Sequence, residues 1–156
     1  MEKMKIKKLT ETAITPTRGT PVAAGLDLYA DSAIANSSVR VWDDVITIAP
    51  HAQAKINTGI AAAIPSGYVG LLFNRSGIAI KQNLRLANCV GVIDEDYRGP
   101  IIAAFQSDSD EEQKIKIGDR VAQLVLVPCI YPDVEIVDEL DDTIRGTGGF
   151  GSTGTR

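Results

Sequence analysis

Short alternating apolar runs, each closed by a turn signal, constrain this chain more than any other feature. They are K-I-K at 5–7, V-I-T-I-A at 45–49, K-I-N-T-G-I at 55–60, Q-K-I-K-I at 113–117 and V-E-I-V at 134–137. Between them stand P-T-R-G-T-P, I-P-S-G-Y, D-S-D-E-E and K-I-G-D. A period of two puts every second side chain on one face, so each run reads as a half-buried strand. Strands this short and this often punctuated by Gly and Pro predict an all-β subunit, a distorted jelly roll or β-barrel. The run V-A-Q-L-V-L-V-P at 121–128 predicts a strand buried on both faces, interrupted only by Gln123. One short helix is expected, beginning near Ser76 in R-S-G-I-A-I-K-Q. At 156 residues and 44% hydrophobic content, the chain is long and apolar enough for one cored domain. Residues 1–140 are expected to form it, with 141–156 as a flexible glycine-rich arm.

The stretch 30–44 reads as a strand–turn–strand excursion with N-S-S at its tip, and Trp42 is expected to pack beneath it. A partner-binding role for Trp42 is the alternative reading.

Composition removes several classes of chemistry. His51 is the only histidine and sits in the turn-like A-P-H-A-Q, which argues against Ser-His-Asp, Cys-His and His-metal sites. Cys89 and Cys129 are forty positions apart with no C-x-x-C pair, so zinc is not expected and two buried, reduced thiols are. The net charge of −4 offers no general surface for nucleic acid. The basic start lacks the apolar run of a signal peptide, and no stretch reaches membrane-span length. A soluble, cytoplasmic protein is therefore expected, with no membrane or nucleic-acid partner.

Five segments carry residues suited to chemistry. In G-V-I-D-E-D-Y-R-G-P, 91–100, an apolar strand runs into carboxylates at a turn; a carboxylate fixed there can take a proton from water, and a solvated acidic turn is the alternative. F-N-R-S-G, 73–77, puts a cation, a hydroxyl and a glycine at the helix start, where free N–H groups attract anions or merely cap a turn. A-A-G-L-D-L-Y-A, 23–30, places Asp27 among apolar neighbours, so a buried carboxylate there must be paired, hydrogen-bonded or metal-linked. G-D-R-V-A-Q-L-V, 118–125, shows the same oddity with Gln123, while Asp119 and Arg120 read as turn residues. The tail R-G-T-G-G-F-G-S-T-G-T-R, 145–156, combines five glycines with Arg145, Phe150, Ser152 and Thr153. Glycines let backbone N–H groups wrap a phosphate chain, and the Phe150 ring can cover a flat base; a frayed terminus is the plainer reading.

In order along the chain, A-G-L-D-L-Y-A, R-S-G-I-A, G-V-I-D-E-D-Y-R-G, G-D-R-V-A-Q-L and R-G-T-G-G-F-G-S-T-G resemble the five motifs of the trimeric dUTP pyrophosphatases (dUTPases). They span residues 24–154. The resemblance implies a mostly β homotrimer with three active sites at subunit interfaces, each closed by a swapped C-terminal arm. It implies hydrolysis of dUTP to dUMP and pyrophosphate, which keeps uracil out of DNA and supplies dUMP for thymidylate synthesis. Asp94 would activate the attacking water, and Tyr97 would lie against the deoxyribose. Asn88 and the backbone around it, including Gly91 and Val92, would read the uracil edge. Arg75, Ser76 and Gly77 would meet the phosphates, with Gln123 near the α-phosphate. Arg145, Phe150, Gly151, Ser152 and Thr153 would form the lid. Mg²⁺ would be held by the phosphates, with Asp27 acting through water.

Asn74 stands where the family usually has proline, which is expected to loosen that turn. Pro100 follows Y-R-G where a polar residue is usual and removes one backbone donor. The rival readings are a dCTP deaminase-like or bifunctional enzyme of the same superfamily, and a dUTP-sensing regulatory protein using 30–44 against a protein partner.

Overall fold

The computed structural model describes residues 3–149. Among them are thirteen strands and one helix. In chain order these are β1 (Lys5–Lys8), β2 (Leu26–Tyr29), β3 (Ser32–Ala33), β4 (Val39–Trp42), β5 (Val45–Ile48), β6 (Gln53–Asn57), β7 (Ile60–Ala63) and β8 (Tyr68–Asn74). Then come α1 (Ser76–Gln82), β9 (Leu84–Leu86), β10 (Gly91–Ile93), β11 (Ile102–Ser107), β12 (Gln113–Lys116) and β13 (Arg120–Pro128). The runs at 5–7, 45–49 and 113–117 become β1, β5 and β12, and K-I-N-T-G-I is divided between β6 and β7 by a bend at Thr58 and Gly59. The one short helix stands where R-S-G-I-A predicts it.

The strands form four antiparallel sheets, ordered β10-β8-β13-β2, β3-β6-β11-β9, β12-β5-β4 and β1-β7. The period-two pattern sets which faces are covered. In β11, Ala103, Phe105 and Ser107 point inward, and in β6 Ala54 and Ile56 do the same. Phe105, Ile46, Ile56, Leu84 and Ile115 are fully buried and belong to one continuous core. Burying side chains of this size contributes about 1.5–3 kcal/mol each. The longest pairing joins β8 to β13, from Ala122 opposite Asn74 to Pro128 opposite Tyr68. Val121, Ala122 and Leu124 are buried as the apolar run requires, whereas Val125, Leu126 and Val127 are only half-buried and Pro128 is exposed.

Three expectations are corrected. V-E-I-V at 134–137 forms no strand: Val134 and Ile136 are 91% and 95% exposed. Regular structure ends at Pro128, and nothing within the described chain lies beside 134–137 to pair with it. A strand without neighbours leaves its backbone groups and apolar face in water. Trp42 is 84% exposed rather than covered, because it ends β4, the edge strand of its sheet. Both thiols are free, but Cys89 is exposed and Cys129 half-buried, since each lies in a turn or strand exit rather than in a core position.

The 30–44 excursion does turn at its N-S-S tip, with Asn36 bridged to Val39. It then folds back through a second turn, where Asp43 and Asp44 have φ of 47° and 58°. Two successive left-handed residues match the twist of a two-residue hairpin, and aspartate tolerates them better than most side chains do.

Candidate active site

The sequence-predicted residues collect at two places on the β10-β8-β13-β2 sheet: the β2 edge, where β2 and β13 meet the Asn74 end of β8, and the β10 edge. On the β2 edge, the nearly buried Asp27 carboxylate is doubly paired. Arg75 Nε donates to its Oδ1 at 2.9 Å and Arg120 Nη1 to its Oδ2 at 3.2 Å. The pairing is why an aspartate survives between Leu26 and Leu28: a buried carboxylate left alone would be far more costly. Two guanidiniums against one carboxylate leave an excess positive charge in the cleft lined by Gly25, Asp27, Arg75, Ser76, Arg120 and Gln123. Fork-shaped cations beside a hydroxyl and an amide suit phosphate oxygens.

Arg120 is here a site residue and not merely part of a turn, which corrects the sequence reading. It lies three positions from Gln123, and an odd spacing would put the two on opposite faces of a regular strand. A register shift between Arg120 and Ala122, where β13 meets β2, lets both line the same cleft. Gln123, opposite Asp27, packs diagonally across against Gly25. A Cβ at Gly25 would stand 2.8 Å from the Gln123 amide oxygen.

Helix α1 begins beside this cleft with Arg75 as its N-cap and no side-chain cap on its first N–H groups. A Cβ at Gly77 would meet nothing within 4 Å, so the space over the helix start is open. Asn74 does not loosen the turn. Its Nδ2 donates to Leu84 O at 2.7 Å, its Oδ1 accepts from Arg75 N–H at 2.9 Å, and its carbonyl accepts from Gln123 Nε2 at 3.0 Å. The side chain supplies by hydrogen bonds the restraint that a proline ring would supply covalently.

The β10 edge carries the remaining residues. Asn88 and Cys89 form the tight turn between β9 and β10, with Cys89 at φ 62°. Gly91 is buried against Leu72 and Val92 is exposed. Past β10 the chain turns through an exposed Asp94, whose carbonyl accepts from Tyr97 N–H at 3.2 Å. Arg98 Nη1 donates to the carbonyls of Glu95 at 2.5 Å and Tyr97 at 2.9 Å, bracing the hairpin from within. The Tyr97 hydroxyl donates to Pro100 O at 3.0 Å, and its ring lies so close over Gly99 that any Cβ there would collide with it. Glu95 accepts from Gly67 N–H and from the Tyr131 hydroxyl, both at 3.0 Å. The Gly67 amide first, then the Ser66 and Tyr131 hydroxyls, hold its carboxyl below the usual carboxylate value. Desolvation first, then the Glu95 carboxylate, raises the Tyr131 phenol above its usual value.

β10 pairs antiparallel with β8, Ile93 opposite Gly70, so Asp94 leaves the sheet at the Tyr68 end of β8 while Arg75 and Ser76 follow its Asn74 end. At about 3.3 Å per residue the two groups stand roughly 20 Å apart along the strands. Arg145 joins neither edge; it is exposed, and its Nε donates to Gly148 O at 2.9 Å. Phe150, Gly151, Ser152 and Thr153 lie outside the described residues. Among the described residues no group of three or more His, Cys, Asp or Glu side chains is placed to hold a metal, and no helix is long and apolar enough to cross a membrane. Sequence reasoning missed Arg120, Glu95, Arg98 and Tyr131. Of these, Arg120, Glu95 and Arg98 stood inside the quoted motifs, whereas nothing in the sequence pointed to Tyr131.

Fold and site together define a class: an all-β protein with a cationic cleft on one side of the sheet and a carboxylate hairpin on the other. Comparison with known proteins narrows it. The dUTPase family model matches residues 11–154. A deoxyuridine 5'-triphosphate nucleotidohydrolase of Arabidopsis thaliana is 43% identical over 96% of this chain and 82% of its own length. One of Paramecium bursaria Chlorella virus 1 is 43% identical over 99% of both chains. Among solved structures, the Staphylococcus bacteriophage 80alpha dUTPase with dUPNHPP superposes with a TM-score of 0.84 at 28% identity, covering 99% of this chain and 100% of that one. That structure is described under the statement that phage dUTPases control transfer of virulence genes by a proto-oncogenic G protein-like mechanism. This chain belongs to the dUTPase family.

Proposed function

We propose that this protein is a dUTP diphosphatase, hydrolysing dUTP to dUMP and pyrophosphate as a homotrimer. The observation that carries the reading is the split of the site across one sheet. The phosphate-suited cleft of Arg75, Ser76, Arg120 and Gln123 and the Asp94 carboxyl stand at opposite ends of the strands, too far apart for Asp94 to take a proton from a water at a phosphate held in its own chain's cleft. A second copy presenting its β10 edge to the first copy's β2 edge brings them together. The exposed apolar residues beyond Pro128, including Ile130, Val134 and Ile136, fit an arm that crosses to a neighbouring subunit and carries residues 145–153 over its site.

In this reading, Asp94 accepts a proton from water as the water oxygen bonds to the α-phosphorus. The bond from that phosphorus to the bridging oxygen breaks, and pyrophosphate leaves. Arg75, Ser76 and Gln123 hold the phosphates in line, so positioning and charge stabilisation supply most of the rate. Tyr97, with its ring fixed over Gly99 by the bond to Pro100, fills the space a ribose 2′-hydroxyl would need. Asn88 and the backbone at Gly91 and Val92 read the uracil edge, and a wrong base leaves polar groups unpaired. Phe150 covers the base, while Arg145, Gly151, Ser152 and Thr153 enclose the phosphates and exclude water.

The family's divalent metal is Mg²⁺ in our reading. The donor set fits water-mediated contact: each Asp27 oxygen already accepts one guanidinium hydrogen bond, leaving capacity for a metal-bound water but not a direct cage. When bound, the ion neutralises charge on the phosphates.

Pyrophosphate release from dUTP, dCTP, dTTP and UTP with Mg²⁺, beside Asp94→Asn, tests the assignment. Release from dUTP alone, lost in the variant, is expected; cleavage or deamination of dCTP would overturn it in favour of the deaminase reading. A regulatory role in addition draws support from Trp42, exposed at the end of an edge strand. A partner lost on deleting 34–44 while turnover stays intact is the outcome that reading requires.

A further inference from the structure

A second cleft is larger than the cationic one beside β2. It lies beneath the carboxylate hairpin and is lined by Tyr68, Asp94, Glu95, Arg98, Cys129 and Tyr131. Its walls come from three parts of the chain that meet at one end of neighbouring strands. These are the start of β8 with the turn at 65–67 just before it, the hairpin at 94–98, and the first residues after β13. Glu95 is the point where all three join. One oxygen, Oε2, accepts from Gly67 N–H and from the Tyr131 hydroxyl. Alongside, Cys129 N–H donates to Gly67 O at 2.9 Å. Beyond Tyr131 the chain is exposed through residue 147. The last anchored residue of the arm is thus hydrogen-bonded to the neighbour in sequence of Asp94.

We propose that Glu95 and Tyr131 are positioning residues that clamp the root of the C-terminal arm to the hairpin carrying Asp94, fixing the direction in which the arm leaves the subunit. This rests on the reading that the arm closes a site. A strand exit held by one backbone hydrogen bond can swing about it, and a second anchor two residues on removes that freedom. For a segment that must reach a site on another subunit, a fixed exit raises the effective concentration of residues 145–153 at their target. The same contact restrains Glu95, and with it the backbone of Asp94. Charge assists the clamp: an ionised carboxylate accepting a phenol hydrogen bond is stronger than a neutral pair. Both groups titrate outside the neutral range and in opposite directions, which keeps the clamp closed at working pH.

The test compares full-length protein, Tyr131→Phe, Glu95→Gln and a chain ending at Asp142, with dUTP as substrate. It follows kcat and KM separately, thermal midpoint, and protection of the Arg145 to Gly146 bond from trypsin by a non-hydrolysable α,β-imido dUTP. Tyr131→Phe keeps the ring and loses only the donor. It is expected to raise KM about 5- to 10-fold with a smaller fall in kcat, and to need a correspondingly higher analogue concentration for protection. Its thermal midpoint should fall only slightly, by about 1–2 °C. Glu95→Gln keeps one acceptor oxygen and should fall between the two. If truncation leaves kcat/KM unchanged, the arm reading itself is wrong. If truncation abolishes turnover while Tyr131→Phe matches wild type in KM and protection, the arm stands and the clamp is wrong. A lowered midpoint with unchanged KM also overturns the proposal, because that is the mark of a purely structural contact.

Discussion

The two edges of the central sheet solve opposite problems. On the β2 edge, charges from three distant parts of the sequence (Asp27, Arg75 and Arg120) are half-buried and neutralise one another in part. On the β10 edge, Asp94, Glu95, Tyr97 and Arg98 are contiguous and mostly exposed, and they are held by hydrogen bonds to backbone groups. Side chains on the first edge support the fold as well as the site, whereas those on the second mainly shape a hairpin whose strands are secured elsewhere. Substitutions should therefore cost stability on one edge and activity on the other.

The widest separation is expected at Asp94. Asp94→Asn should lower kcat by roughly 10²–10⁴-fold, the usual worth of a positioned base. Its melting temperature should match wild type, because the carboxyl is exposed; a lowered melting temperature would break the comparison. At Asp27 the order reverses. Asp27→Ala leaves two guanidiniums facing each other and should cost about 2 kcal/mol, below the full cost of breaking a buried pair because Arg120 is half-exposed. For a domain of this size that is a fall of about 4–8 °C in calorimetry. Asn74→Ala should follow, losing about 1–2 kcal/mol as Leu84 O and Arg75 N–H lose their partners. Asn74→Pro tells whether covalent restraint substitutes for hydrogen bonds: KM at the wild-type value would show that it does.

A pH scan of thermal stability sharpens the β10 side. Glu95 is depressed below 4.5 in the fold, so its contribution is full above 4.5 and lost as pH falls through the lower folded value. Tyr131 is raised above 10.0, so its contribution is full below 10.0 and lost as pH rises through the higher folded value. The difference between wild type and Tyr131→Phe should be flat from about pH 5 to 9 and shrink outside that window. The smallest effect is expected at Trp42, away from both edges. Trp42→Ala should change stability by no more than about 0.5 kcal/mol and leave dUTP turnover untouched.

Much of the fold was legible because period-two alternation is a local signal: β1, β5, β6, β12 and β13 fall where the runs stand. The same signal failed at 134–137, because alternation reports a face that needs covering and not whether the same chain covers it. The β10 hairpin was legible as a site for a related reason, since its residues are neighbours in sequence and their chemistry can be read as one word. The β2 cleft was legible only in fragments. Asp27 announced itself as a buried charge in need of a partner, but nothing local named Arg120, 93 positions away.

By itself, then, the sequence determined the strands, the short helix at R-S-G and the motifs that place the chain in its family. These depend on side-chain period, turn chemistry and residue type, all properties of short segments. Only the tertiary structure decided that Arg120 shares a cleft with Gln123, that Asn74 restrains the turn it was expected to loosen, and that Glu95 meets Tyr131. Each of those depends on a bulge, a register or a chain crossing that brings distant residues within 3.5 Å. Such distances are set by how whole sheets pack, and no local pattern encodes them.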